Sequence, residues 1–389
     1  MSRPPSSKPS NIEVSEFPLR EALVDLSAIR HNTRLVRDLS GAGILIGVVK
    51  ANAYGHGLVE ASRAALEGGA DLLGVTDIEE AASLREAGIT APILAWQHSS
   101  ATDFGAALDL GLELGVGSIA QLERVIDAAR SRSAVAVVHI KAETGLARNG
   151  VAAGDWDTAM RIAAAAVSDG VLHVRGVWSH LANVSASEDD AAGERLRQAL
   201  AVATRHSIVP DYAHLAASAA ALTRPSLRFG AVRVGVALYG LQPEPYIDMR
   251  QLGFRAAMTV RARITAVRSV DAGTGVSYGH HGRTTRPTRL GLVPFGYADG
   301  LPRSASSRAS FTIDGNLCPI VGNVAMDQCV VDLGERDAST RDAGEGDVAV
   351  LFGDPADGWQ SADEVAAAAG TIGYELVTRI GPRVPRRYL

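Results

Sequence analysis

Cysteine is almost missing from this chain. Two occur among 389 residues, Cys318 and Cys329, both in apolar, strand-like stretches. That excludes a disulfide framework and offers no metal-ligand spacing; two reduced core thiols of a cytoplasmic protein are expected. A basic excess is also absent. The 38 Lys and Arg against 43 Asp and Glu leave a net charge of −5, and no basic stripe interrupts the chain, which argues against nucleic acid as a partner. No apolar run is long enough to cross a bilayer, so no membrane partner is expected. Residues 1–18 are rich in Pro and Ser and lack the apolar core of a signal peptide, so they read as a flexible tail. No Gly-x-Gly-x-x-Gly follows an early strand, which speaks against an open, doubly wound sheet.

What the chain does contain is a regular alternation. Short apolar runs at 44–50, 72–76, 92–96, 112–116, 135–141, 174–180, 212–216 and 232–236 are separated by amphipathic segments such as 78–87, 119–130, 156–167 and 193–204. Eight βα units over this length predict an α/β fold, a (β/α)8 TIM-type barrel over residues 19–242. Glu21 to Leu26 alternates weakly, and Ser27 is the expected N-cap of the first helix. Beyond residue 243 the period changes. Residues 257–270 alternate, with Met258, Val260, Ala262, Ile264 and Ala266 on one face and Thr259, Arg261, Arg263 and Thr265 on the other, as a half-exposed antiparallel strand does. Further runs at 290–294, 311–313, 319–325, 328–333 and 347–352 are punctuated by Gly turns. Ser361-Ala362-Asp363-Glu364 is a capping box, and 379–388, with two prolines, reads as an edge strand. Residues 243–389 are therefore expected to form a mostly antiparallel β domain.

A barrel of this kind puts its chemistry at the C-terminal ends of the strands. Polar residues fall there: Lys50 ends the first run, Lys141 the fifth and His180 the sixth. Ser218 follows the seventh, while Arg233 and Gly235 lie in the eighth. Each alone has an ordinary explanation, such as a salt bridge, a cap or a satisfied core histidine. Their collection at one end is harder to explain that way. A lysine at the mouth of a buried strand must be paired, reach solvent, or be a desolvated nucleophile that forms a Schiff base.

Val48-Val49-Lys50-Ala51-Asn52-Ala53-Tyr54-Gly55-His56-Gly57 resembles the pyridoxal-phosphate attachment segment of alanine racemases, and the resemblance extends over about residues 20–388. It implies that Lys50 is joined to pyridoxal 5'-phosphate and that Tyr54 contacts the phosphate. Lys141-Ala142-Glu143-Thr144-Gly145-Leu146-Ala147-Arg148 resembles the family segment whose arginine, Arg148 here, meets the cofactor's phenolic oxygen and the substrate carboxylate. Lys141 takes the place of a lysine that is often carbamylated. By the same resemblance His180 packs on the cofactor ring, Ser218 and the Gly235 amide hold the phosphate, and Arg233 faces the pyridine nitrogen.

An arginine cannot accept the pyridinium proton, so the ring stays neutral, as suits an enzyme that only moves one proton. Gly275-Val276-Ser277-Tyr278-Gly279 matches the motif of a catalytic tyrosine, making Tyr278 the second base opposite Lys50. In the family that tyrosine comes from the other subunit, which implies a homodimer with shared sites. Tyr297, Arg303 and Asp327 are implied at the substrate entrance, and the Met326 amide at the substrate carboxylate. The implied activity is interconversion of L- and D-alanine for peptidoglycan, with a serine or broad-specificity racemase as the alternative. A pyridoxal-phosphate carrier would lack the second domain, a decarboxylase of this fold carries a carboxylate at the Arg233 position, and a Schiff-base aldolase would need no phosphate cradle. The chain departs from the family pattern at Pro382, where a tyrosine is common, and at Ala217, Asn323 and Ala325.

Overall fold

The computed structural model describes residues 18–335 and 343–389. The expected tail, but for its last residue, lies outside them. The first strand, β1 (Arg20–Val24), is followed by eight that close into a parallel barrel: β2 (Ile44–Val48), β3 (Leu72–Val75), β4 (Ile93–Ala95), β5 (Glu113–Val116), β6 (Ala136–Lys141), β7 (Leu172–Trp178), β8 (Tyr212–His214) and β9 (Ala231–Val234). All eight runs expected from the sequence are barrel strands.

Five helices leave the strand ends through side-chain caps. The carboxylates of Asp25, Asp77 and Asp103 and the hydroxyls of Ser118 and Ser185 each accept the amide three residues on, satisfying donors that a helix start leaves open. The first helix, Leu26–Ser40, begins earlier than expected. Asp25, in extended conformation at the end of β1, is its cap, and Ser27 lies within its first turn.

The barrel interior is divided. Ile46, Leu72 and Leu94 pack with Trp96 into a small apolar cluster on the β2–β4 side. The opposite side, from β5 to β9, buries Glu113, His139, His214 and Arg233.

The second domain is built on a six-stranded sheet ordered β16-β15-β18-β10-β1-β19, and on a three-stranded sheet, β11-β14-β17. Its strands are β10 (Met258–Arg263), β11 (Ala266–Val270), β12 (Gly275–Val276), β13 (Gly282–Arg283), β14 (Thr288–Val293), β15 (Ser310–Ile313), β16 (Asn316–Pro319), β17 (Cys329–Gly334), β18 (Val348–Phe352) and β19 (Arg386–Tyr388). Thus β1 precedes the barrel in sequence but pairs with β10 and β19 in the other domain.

Three expectations need correcting here. The single strand over 257–270 is two strands in different sheets, broken at Ile264 and Thr265. Arg261, placed on its exposed face, is buried, because β1 sets Glu21 directly opposite and the two side chains form a salt bridge. The run 319–325 leaves its strand at Pro319 and keeps only an isolated bridge, Ile320 to Val331. The capping box at Ser361 and Glu364 is formed. The last strand is confined to Arg386–Tyr388 at the sheet edge, beyond both prolines, which cannot donate to a ladder.

Candidate active site

β2 delivers Lys50 to the C-terminal mouth of the barrel, and the backbone that follows is unusual. Ala51, Asn52, Ala53 and Tyr54 all have φ near +54°, a left-handed turn made without glycine. Such a turn costs roughly 1–2 kcal/mol per residue and persists only where its surroundings hold it. Glu80 is one such hold, since its carboxylate accepts from the Ala51 amide at 2.6 Å and the Thr76 amide at 2.9 Å. The Asn52 side chain accepts from the Leu58 amide at 2.8 Å. The sequence shows a turn here but not its hand. Lys50 is half-buried, and burial, then Arg148, lower its pKa, with Glu80 opposing.

The turn throws Tyr54 across to the end of β9. A Cβ built on Gly235 would lie 2.4 Å from the Tyr54 hydroxyl, so any side chain there would displace the phenol. The Gly235 amide donates to the Ser218 hydroxyl at 3.3 Å. Hydroxyl, amide and phenol thus converge just past the end of β9.

Arg233 lies wholly inside the barrel. It donates to the carbonyls of Ser179 (2.8 Å), His214 (3.1 Å) and Leu215 (3.1 Å), to His214 Nδ1 (3.0 Å) and to His180 Nδ1 (3.0 Å). Because arginine only donates, His180 Nδ1 accepts, and the neutral ring carries its proton on Nε2. Burial and the cations Arg233, Arg148, Lys141 and Lys50 hold His180 neutral, well below its ordinary value. Burial and Arg148 also lower Arg233, to about 9, leaving it charged at neutral pH.

Trp178 forms a floor. His214 stacks on it, and both Arg233 and Lys141 lie over it at about 5 Å. Lys141 donates to Asn149, and burial, then Arg148 and Arg233, lower it to about 8. Arg148 itself is exposed on the loop after β6.

The remaining expected residues do not join this cluster. Tyr278 lies in the second domain with 77% of its surface exposed, beside a cavity of about 420 Å³ lined by Ser277, His280, Ala325, Gln328 and Val330. Asn323 braces it, donating to the Tyr278 carbonyl at 2.9 Å while its own carbonyl accepts from the Ser277 hydroxyl at 2.8 Å. Tyr297 and Met326 share one loop cluster, since the Tyr297 amide bonds the Ala325 carbonyl and the Ala298 amide the Met326 carbonyl. Asp327 is tied to Arg383 at 2.7 Å. Arg303, Tyr297 and Met326 are all exposed. Among the described residues no hydrogen bond links Tyr278 to the barrel cluster. A second cavity, about 400 Å³, lies between the barrel and the six-stranded sheet near Gln242, Phe254 and Asp354 and contains none of these residues.

Comparison with known proteins decides the family. Models of the alanine racemase N-terminal and C-terminal domains match residues 24–243 and 257–388. The chain belongs to the alanine racemase family. The alanine racemase of Thermobifida fusca is 46% identical over 95% of this chain and 97% of its own length. That of Mycolicibacterium smegmatis is 45% identical over 95% and 94%. Among solved structures, alanine racemase from Streptomyces lavendulae superposes with a TM-score of 0.92 at 44% identity, covering 96% of this chain and 98% of its own. The Streptomyces coelicolor enzyme gives 0.91 at 41%, covering 95% and 98%.

Within this racemase fold, several residues that the sequence did not single out belong to the site's frame: Glu80, Asn149, Trp178, His214, His139 and Glu113. A signal for two of them was present. Glu113 is an acid in an otherwise apolar run, and His139 stands two residues before Lys141, on the same face of one strand.

Proposed function

We propose that this chain interconverts L- and D-alanine with pyridoxal 5'-phosphate, using Lys50 and a partner subunit's Tyr278 as two bases. The residues present fit that cofactor. The lowered amine of Lys50 suits bonding to an aldehyde carbon. The cradle of Tyr54, Ser218 and Gly235, with the phenol packed close over residue 235, suits a phosphate. Arg233, fixed by five acceptors, suits a neutral pyridine nitrogen. When bound, pyridoxal phosphate withdraws electrons from the amino acid's Cα and makes its proton removable.

The protein's part is to bind, orient and carry the proton. Arg148, exposed beside Lys50, is placed to hold the substrate carboxylate, and the Met326 amide is its counterpart from the second domain. Lys50 Nζ takes or gives the Cα proton on one face. The Tyr278 phenol does so on the other, with His180 Nε2–H as its neighbour. Tyr297, Arg303 and Asp327 would edge the entrance, and the crowding of tyrosines there favours a small side chain. Lys141, lowered to about 8, carries enough free amine near neutrality to be carbamylated.

The observation that carries this reading is the joining of Lys50, the phosphate-type cradle and a buried arginine at one barrel mouth, while the matching tyrosine stands exposed. The rest of the proposal is a homodimer whose subunits complete each other's sites, working in the cytoplasm and supplying D-alanine for peptidoglycan. Among the described residues no helix is long and apolar enough to cross a membrane. Incubation with L-alanine, L-serine and larger amino acids in D₂O tests the reaction. Inversion of alanine with deuterium at Cα is expected. Exchange without inversion would mean a single base, and equal turnover of serine would favour the broad-specificity reading.

A further inference from the structure

Arg233 is the end of a hydrogen-bonded chain that crosses the barrel. Its Nη1 meets His214 Nδ1 at 3.0 Å, His214 Nε2 meets His139 Nδ1 at 2.9 Å, and His139 Nε2 meets Glu113 Oε2 at 2.8 Å. Both imidazoles are fully buried, and burial lowers both; Glu113 opposes it at His139, where Arg175 and Arg233 add to the lowering, and Arg233 and His139 lower His214 further, so each ring is neutral. Each therefore has one N–H, and arginine, with donors only, fixes which nitrogen bears it. His214 must accept at Nδ1 and donate from Nε2. His139 must then do the same. Every donation runs one way, from the guanidinium to the carboxylate.

The far end is anchored. Arg175 Nη1 reaches Glu113 Oε1 at 2.5 Å, Arg175 Nε lies 3.5 Å from Asp211, and His173 meets Asp211 at 3.1 Å. Glu113 opens β5, so this anchor sits at the N-terminal end of the barrel, opposite the site. The fold also makes room for the chain. Gly176 of β7 stands opposite His139, and a Cβ there would lie 2.4 Å from His139 Nδ1 and 3.1 Å from His214 Nε2.

We propose that Glu113, acting through His139 and His214, is a positioning residue for Arg233: it sets the guanidinium's orientation and offsets its charge from the opposite end of the barrel. A network in a low-dielectric interior couples its members more strongly than separate pairs would. The inference rests on the reading of Arg233 as the group facing the cofactor nitrogen. Its first test does not.

Nitrogen-15 NMR of histidine-labelled protein should find His139 and His214 neutral and protonated at Nε2. An Nδ1–H tautomer or an imidazolium at either residue overturns the chain. The second test compares Glu113→Gln and Gly176→Ala with wild type. The first variant removes the charge while keeping the shape, and the second wedges the histidines apart while keeping the charge. Both should lower kcat about tenfold, the lower range for loss of an outer orienting partner, with KM for alanine unchanged and the bound cofactor's absorption altered. Wild-type kcat and spectrum in Glu113→Gln would overturn the proposal even if Gly176→Ala fails to fold. A wild-type protein that neither binds pyridoxal phosphate nor racemises alanine would sink the cofactor reading instead, and the tautomer result would still stand.

Discussion

The barrel mouth around Arg233 and the loops around Tyr278 carry similarly polar side chains, yet their surroundings are opposite. Arg233 and Ser218 are buried and His180 nearly so, each held by hydrogen bonds. Tyr278, Tyr297 and Met326 are 77%, 40% and 52% exposed, held by backbone contacts of their loops. The first group is thus held inside one chain, while the second faces outward. Large apolar or aromatic groups gathered on an exposed surface mark a place that something else covers, and a second copy of the chain is the occupant proposed here.

Removing the barrel's amine should have the largest effect. Lys50→Ala is expected to lose at least ~10³-fold in kcat, as loss of a covalent and proton-transferring group does, and to lose the absorption of the covalently bound cofactor. Retained activity would contradict its role. Tyr278→Phe should lose roughly 10²–10⁴-fold, the range for one acid–base group, while cofactor absorption stays as in wild type. A spectrum changed as much as that of Lys50→Ala would place the phenol nearer the cofactor than proposed.

Stability should show the same contrast against pH. His56, His139, His180 and His214 are buried in the barrel with lowered pKa values, and His56 falls to about 4 because of burial. In the unfolded chain these groups titrate near ~6.5. Below that pH the unfolded state binds more protons, so stability is present above it and is lost as pH falls toward 4. His56 alone contributes on the order of 3 kcal/mol across that window. Urea midpoints at pH 7.5 and pH 5 should differ accordingly, and His56→Gln should shrink the difference. Equal midpoints would contradict the buried neutral state.

The smallest expected effect lies in the left-handed turn. Ala51 is exposed there with φ +54°. Ala51→Gly relieves ~1–2 kcal/mol of strain but costs ~0.5–1 kcal/mol in chain entropy. A slight rise in Tm is expected, and a fall would mean that the turn is not strained at this residue.

The sequence made these two regions legible to different degrees. All eight barrel strands were visible because their runs are apolar, evenly spaced and separated by amphipathic segments, and the strand-end rule placed Lys50, Lys141, His180, Ser218 and Arg233 at one mouth. The left-handed turn was not visible, since Ala-Asn-Ala-Tyr has no glycine to announce φ above zero. Nor was the burial of Arg261, which depends on Glu21 arriving from 240 residues away. The chain through His139 and Glu113 was hidden for a related reason: its members come from four strands, β5, β6, β8 and β9, and only the closed barrel faces them toward each other. For Tyr278 and its neighbours, motif resemblance alone carried the expectation. Local pattern tells whether a side chain is exposed, not what covers it.

Mixing two inactive variants tests the shared site most directly. Lys50→Ala and Tyr278→Phe subunits, unfolded together and reassembled, form mixed dimers in which one site has both an intact lysine and an intact tyrosine. With random pairing about one quarter of wild-type activity should return. If each chain completes its own site, no activity will reappear at any mixing ratio.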